Sequence, residues 1–172
     1  MQTISIIQAG ENDVVALQQI AQTTFIAAYA AVNTQENMDK YLHEDLGLPQ
    51  LRSELNNPHS LFFFAQLDGQ NIGYIKLNIG DAQTHLQEKN TLEIERIYVL
   101  PPYQSMRIGQ QLFDHAVALA KARAYTKVWL AVWEQNHKAI QFYTRNGFTV
   151  FDTCTFTLGN DVQNDLMMAL TL

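Results

Sequence analysis

Residues Pro101 to Phe113, PPYQSMRIGQQLF, mark the point where the period of the sequence changes. Just before them, TLEIERIYVL (Thr91 to Leu100) alternates and then runs almost continuously apolar, as a strand does. Pro101-Pro102 cannot donate ladder hydrogen bonds and ends it. Beyond, Ile108, Leu112, Phe113, Ala116, Val117 and Ala120 fall on one helical face, and Lys121 and Arg123 complement the C-terminal dipole. A strand, a loop carrying Gly109 and a helix start together offer an anion site in principle. The first N–H groups of a helix lack acceptors, and the dipole adds positive potential there. Alone, such a pattern is more often an ordinary loop before an ordinary helix.

Outward from this stretch the chain reads as one domain, residues 1–172. TISII (Thr3 to Ile7) is a β-branched first strand, and Val14, Leu17, Ile20, Ala21 and Phe25 follow at helical spacing. TQENMDKYLHEDL is a second helix that Thr34 can cap, and a short helix fits between Pro49 and Pro58. LFFFAQLDGQNIGYIKLNIG is a hairpin turning at Asp68-Gly69. After the central helix come TKVWLAVWE as a buried strand, NHKAIQFYTRNGF as a helix stopped by Asn146-Gly147, and two closing strands. The order predicts an α/β fold with a strand–helix–strand crossover and a mixed sheet.

The net charge of −6 argues against non-specific nucleic-acid binding, which draws its affinity from Lys and Arg. It is compatible with a cationic substrate. Cys154 is the single cysteine, so neither an internal disulfide nor a cysteine-based zinc site is expected. His43, His59, His85, His115 and His137 show no metal-ligand spacing, and no metal is expected. MQTISIIQAG has no signal-peptide pattern, and no apolar run nears the roughly 20 residues of a membrane span. The expectation is a cytoplasmic enzyme or binding protein with no membrane partner.

A second stretch, VWEQNHKAIQFYTRNGF, lies one strand after the first. Singly, Asn136 reads as a helix cap and Phe142 and Tyr143 as core. Taken together and in order, the two stretches resemble the GNAT superfamily of N-acetyltransferases, whose loop is written Gln/Arg-x-x-Gly-x-Gly/Ala. Gln104, the position of Arg107, and Gly109 fall on that pattern. LEIERIYVLPPYQ, FTLGNDVQNDLMM and NIGYIKLNIG further resemble the PaiA-type polyamine N-acetyltransferases, so the likeness is strongest from Leu61 to Met168. Two departures stand out: Arg107 replaces the middle glycine, and Cys154 stands where the subgroup has histidine.

The resemblance implies a GNAT fold with a mostly antiparallel sheet of about six to seven strands flanked by helices. It implies acetyl-CoA as co-substrate and a small-molecule amine as acceptor, with a polyamine such as spermidine or spermine foremost. The alternatives are a protein N-terminal or lysine acetyltransferase, which would favour an open groove, and a CoA-binding regulatory module with weak catalysis. By analogy the chain would form a homodimer through its C-terminal strands. Ile97, Tyr98 and Val99 would form the strand segment that pairs with the pantetheine arm, with an N–H near Val99 as oxyanion donor. Backbone amides of Gln104, Ser105, Met106, Arg107, Ile108 and Gly109, extending to Gln110, would hold the pyrophosphate. Asn136 would contact the cofactor, while Lys138 and Arg145 are either phosphate contacts or solvated helix surface. Arg107 either adds a guanidinium to phosphate binding or, if a positive φ is required, carries strain of about 1 kcal/mol.

The chemistry sets the remaining expectations. An amine of pKa near 10.4 is neutral in only about one molecule in a thousand at pH 7, so a general base helps. Glu93 and Glu95 are the candidates, because the resemblance implies that their strand borders the acetyl site; they share a side of a regular strand, which a β-bulge would change. Their competing reading is as solvated strand glutamates or as partners of Arg96. Tyr41, His43 and Glu44 are candidates for the acceptor side. The resemblance implies that Tyr143 meets the departing sulfur, first by hydrogen bonding to the developing thiolate and only then by donating a proton.

Overall fold

A computed structural model describes residues 3–172. Strand β1 (Ile4–Gln8) leads to helices α1 (Val14–Tyr29), α2 (Gln35–Glu44) and α3 (Leu48–Asn56). Strands β2 (Ser60–Leu67), β3 (Gln70–Ile79) and β4 (Thr91–Val99) follow. Helix α4 (Ile108–Ala122), strand β5 (Lys127–Trp133), helix α5 (His137–Arg145) and strands β6 (Thr149–Leu158) and β7 (Asp161–Thr171) complete the chain.

Local chemistry accounts for most element ends. Asp68 and Gly69 both take positive φ, 50° and 81°, as the two-residue turn between β2 and β3 requires. Thr34 caps α2 by accepting the Asn37 N–H at 3.2 Å. Gly147 takes φ 89° just past α5.

The seven strands form one sheet in the order β1-β2-β3-β4-β5-β7-β6. All neighbours are antiparallel except β4 and β5, the pair joined by the α4 crossover. One face carries α4 and α5, with Leu112, Phe113 and Tyr143 packed on Ile75, Ile94 and Leu130. The other carries α1 to α3, where Leu17, Phe25 and Leu51 meet Phe62 and Tyr74. Each fully buried Leu or Phe contributes about 1.5–3 kcal/mol, so both layers are well anchored.

The helical stretch Glu11–Val32 spans 22 residues with mean hydropathy 1.2, enough by length and composition to cross a bilayer. That corrects the expectation that no segment comes near such a span. Its Val14, Leu17, Ile20, Ala21 and Phe25 are buried, which is how a core helix sits on its sheet.

Two irregularities in the sheet make the site. The parallel pairing of β4 with β5 covers only Thr91↔Lys127, Leu92↔Val128 and Glu93↔Trp129. Beyond it the strands part, and Ile94 to Val99 no longer face a β5 partner. On the other edge of β4, Lys76 pairs with Arg96 but Leu77 pairs with Ile94, leaving Glu95 as an extra residue. This bulge sends Ile94 and Ile97 to the α4 side, while Glu95 and Arg96 both turn toward α3 and Lys76.

Candidate active site

Where β4 and β5 part, a cleft of about 250 Å³ runs through the sheet. Ile94 to Tyr98 form one wall, Ala131 to Trp133 the other, and the α5 cap Asn136 with Ala139 and Tyr143 of α5 close one end. Leu100 N–H donates to Ile72 O at 2.9 Å, so by the alternation of an antiparallel ladder Ile97 and Val99 turn their N–H groups away from β3. Those amides face the gap. They belong to the segment that the resemblance implies for the pantetheine arm.

At the lower end of β4, Pro101–Met106 form 3-10 turns and Arg107 caps α4 with φ 59° and ψ 24°. The glycine-like backbone shape is therefore kept with an arginine in it, at a strain of about 1 kcal/mol. Its side chain is exposed. The first intrahelical bond of α4 runs from Gln111 N–H to Arg107 O, leaving the N–H groups of Ile108, Gly109 and Gln110 without helical acceptors. A Cβ placed at Gly109 would meet nothing within 4 Å, so the space over these amides is open. Open amides at a helix start fit a pyrophosphate. Gln104 uses its side chain otherwise, donating to Val99 O at 3.2 Å.

Tyr143 is buried among Phe142 and Phe148, and its hydroxyl makes no hydrogen bond among the described residues. Burial pushes its pKa well above the ordinary phenol value, with a smaller push from Tyr29. It is thus a neutral phenol lining the cleft. Asn136 lines the cleft too, but its side chain is used as the α5 cap, accepting Ala139 N–H at 3.2 Å. Lys138 is exposed and outside the cleft.

The side of the cleft facing α1 and α2 is rich in carboxylates and aromatic rings. Tyr29, Tyr41 and Phe156 overhang it, Tyr98 Oη donates to Tyr29 Oη at 3.5 Å, and burial pushes Tyr41 up to about 12. Glu93 is only 2% exposed. It accepts from Thr84 Oγ1 at 2.5 Å, Thr84 N–H at 2.9 Å and Asn78 Nδ2 at 3.1 Å. Burial raises its pKa nonetheless. Glu95 accepts from Asn78 Nδ2 at 2.6 Å and pairs with Lys76 at 2.6 Å and Arg96 at 3.6 Å. Burial alone would raise it, but Arg96 and Lys76 hold it below the usual range. Despite the bulge, Asn78 keeps both glutamates on one side. The Arg96 pairing set out as their competing reading is present, for Glu95. His43 and Glu44, candidates for this face, lie outside the cleft, since α2 turns only Tyr41 into it.

Asp165 of β7 was missed by the sequence reading. It lines the cleft, and its buried Oδ1 has no hydrogen-bond partner. The available signal was a carboxylate placed just before the apolar run Leu166-Met167-Met168.

A parted parallel strand pair with open amides at the next helix is a thioester-cofactor cradle in form, and comparison with known proteins agrees. The Acetyltransferase (GNAT) family matches residues 16–148. The chain belongs to the GNAT family. Over its whole length it is 36% identical to an N-acetyltransferase of Lactobacillus delbrueckii subsp. lactis, covering 99% of that protein. It is 28% identical to the spermidine N(1)-acetyltransferase of Thermoplasma acidophilum, over 88% of this chain and 91% of that one. The crystal structure of the PaiA N-acetyltransferase from the same organism in complex with coenzyme A superposes with a TM-score of 0.81, at 27% identity, covering 99% of both chains. The protein is an acetyl-CoA-dependent acyltransferase of the GNAT fold. Among the described residues, no three His, Cys, Asp or Glu side chains gather as metal ligands.

Proposed function

We propose that the protein transfers the acetyl group of acetyl-CoA to a primary amine of a small polyamine, with spermidine as the test case. The carrying observation is the character of the acceptor face. Glu93, Glu95 and Asp165 sit under overhanging tyrosines rather than along an open groove, which suits a flexible cationic chain better than a folded protein terminus. The likeness to a spermidine acetyltransferase supports this reading.

In this reading the free amides of Ile108, Gly109 and Gln110 hold the pyrophosphate, with Arg107 adding its charge from the rim. The β4 amides of Ile97 and Val99 align the pantetheine arm and polarise the thioester carbonyl. Tyr143 hydrogen-bonds the departing sulfur. Acetyl-CoA supplies the activated acyl group.

The test is thiol release from acetyl-CoA with spermidine, spermine, simple monoamines and an N-terminal peptide. Preferential turnover of polyamines supports the proposal. Preference for the peptide would replace it with a protein acetyltransferase, and CoA binding without turnover of any amine would replace it with a regulatory module.

A further inference from the structure

Three carboxylates face the acceptor side, and they differ in what their oxygens already do. Glu93 has both oxygens engaged by Thr84 and Asn78. Glu95 has both engaged by Lys76, Asn78 and Arg96. Asp165 has a buried oxygen, Oδ1, with no partner at all. Buried carboxylate oxygens are ordinarily satisfied, because leaving one bare costs its full desolvation. An exception inside a cleft marks the place for an incoming donor.

Strand geometry fixes where that donor would come from. On β7, Leu166 and Met168 belong to the core beneath α4 and α5. Side chains alternate along a strand, so Asp165 projects from the opposite face. Its partners across the sheet are Trp133 of β5 and Cys154 of β6. Tyr143 reaches the same cleft from α5, on the other side of the sheet. A nucleophile seated against Asp165 therefore has the gap between β4 and β5 ahead of it and Tyr143 beyond.

The geometry points to Asp165 as the group that binds the acceptor's ammonium and removes its excess proton, a role that rests on the proposed amine acetylation. The ammonium donates an N–H to Oδ1, and the proton passes to the carboxylate. The freed nitrogen lone pair forms the N–C bond at the thioester carbonyl, and the C–S bond breaks with its electrons on sulfur. The second nitrogen proton balances that thiolate to give the free thiol, under the hydrogen bond of Tyr143. The proton on Asp165 returns to solvent.

The surrounding charges favour such a role. Burial, with Glu134 adding to it, raises the Asp165 carboxyl to about 6, and His85 from the β3–β4 loop opposes the rise. Cys154 stays a neutral thiol, raised to about 11 by burial and by the neighbouring carboxylates, and Tyr29 above is a neutral phenol. A base of this strength is free at neutral pH and better matched to proton transfer than an ordinary aspartate.

The experiment compares Asp165→Asn, Glu93→Gln and Glu95→Gln by thiol release from acetyl-CoA with spermidine, between about pH 5 and about pH 9. Spermidine binding to the protein–CoA complex and CoA binding itself are measured by calorimetry. For Asp165→Asn the expected result is a loss of about 100-fold in kcat/KM and disappearance of the acidic limb near pH 6. Spermidine binding at pH 8 should weaken by about tenfold, with CoA affinity held within about twofold as proof of a folded cofactor site. Activity within about threefold of wild type and an unmoved limb would overturn the assignment, as would transfer of the limb to Glu93→Gln or Glu95→Gln. A loss of rate with the pH profile intact would make Asp165 structural, and likewise overturn it. Wild-type protein that binds acetyl-CoA but acetylates no amine would instead bring down the proposed function itself.

Discussion

Gln110 and Asn146 exchange hydrogen bonds: Gln110 Nε2 donates to Asn146 Oδ1 at 2.8 Å, and Asn146 Nδ2 donates to Gln110 Oε1 at 3.3 Å. Asn146 also donates to Phe142 O at 2.9 Å and caps α5. The first turn of α4, with its open amides, is thereby tied to the helix that carries Tyr143. Gln110→Ala should cost about 1 kcal/mol and Asn146→Ala about 2 kcal/mol, since the latter also loses the cap. In a double-mutant cycle by urea unfolding, the pair should show a coupling of about 1 kcal/mol, and additive costs would mean the exchange is energetically idle.

Arg107 already holds the left-handed backbone a glycine would take, and its side chain is exposed. Arg107→Gly should therefore leave the amide cradle in place and remove only a cation. CoA binding by calorimetry should weaken about tenfold, the worth of one charge-assisted contact, and more so at low salt. Tighter binding would show instead that the guanidinium obstructs.

Tyr143→Phe keeps the ring packed against Phe142 and Phe148 and removes only the hydroxyl. On the proposed mechanism, turnover should fall roughly 30-fold with little change in the KM for acetyl-CoA, because a hydrogen bond from Tyr143 to the sulfur would strengthen only as charge develops there. Because burial raises this phenol well above its ordinary pKa, no alkaline limb from Tyr143 should enter the wild-type profile below about pH 10.

Asp165 keeps its proton to about pH 6 in the fold, against 3.8 for the free group. Between those values the native state binds more protons than the unfolded chain. Its contribution to stability is therefore fully present below about pH 4 and is lost as pH rises through about 6. Asp165→Asn should remove that cost above pH 6, by about 1 kcal/mol once the half-exposed position is allowed for. In thermal melts the variant should gain about 2–4 °C at pH 8 and nothing at pH 4. An equal gain at both pH values would mean that charge is not the cause.

Gly159 in the β6–β7 turn has φ +61°, and a Cβ there would lie 2.0 Å from Asn37 Oδ1. That oxygen accepts the Asn160 N–H at 3.2 Å, and Asn37 Nδ2 donates to Asn160 Oδ1 at 2.9 Å, pinning the turn to α2. Gly159→Ala should cost about 2–3 kcal/mol in unfolding free energy and, on the proposed polyamine function, raise the KM for spermidine, because Phe156 and Tyr41 line the cleft nearby.

What the chain declares along its length is the order of its elements. The Asp68-Gly69 turn, the Thr34 and Asn136 caps, the Gly147 stop and the change of period at Ile108 are settled by residues within about four positions of one another. The pair of stretches that marks the GNAT family was legible too, while the left-handed backbone of Arg107 was one of two open alternatives until the fold settled it. The bulge at Glu95 was open in the sequence because it depends on how β4 registers against β3. The parting of β4 from β5 depends on two strands joined only through α4, and no local pattern encodes where parallel pairing stops. Glu93, Glu95 and Asp165 are the same chemistry in a sequence, three carboxylates on strands. Only the fold decides that Thr84, Asn78, Lys76 and Arg96 fill the oxygens of the first two and that Oδ1 of the third is left bare, because a hydrogen-bond partner is chosen by proximity in space.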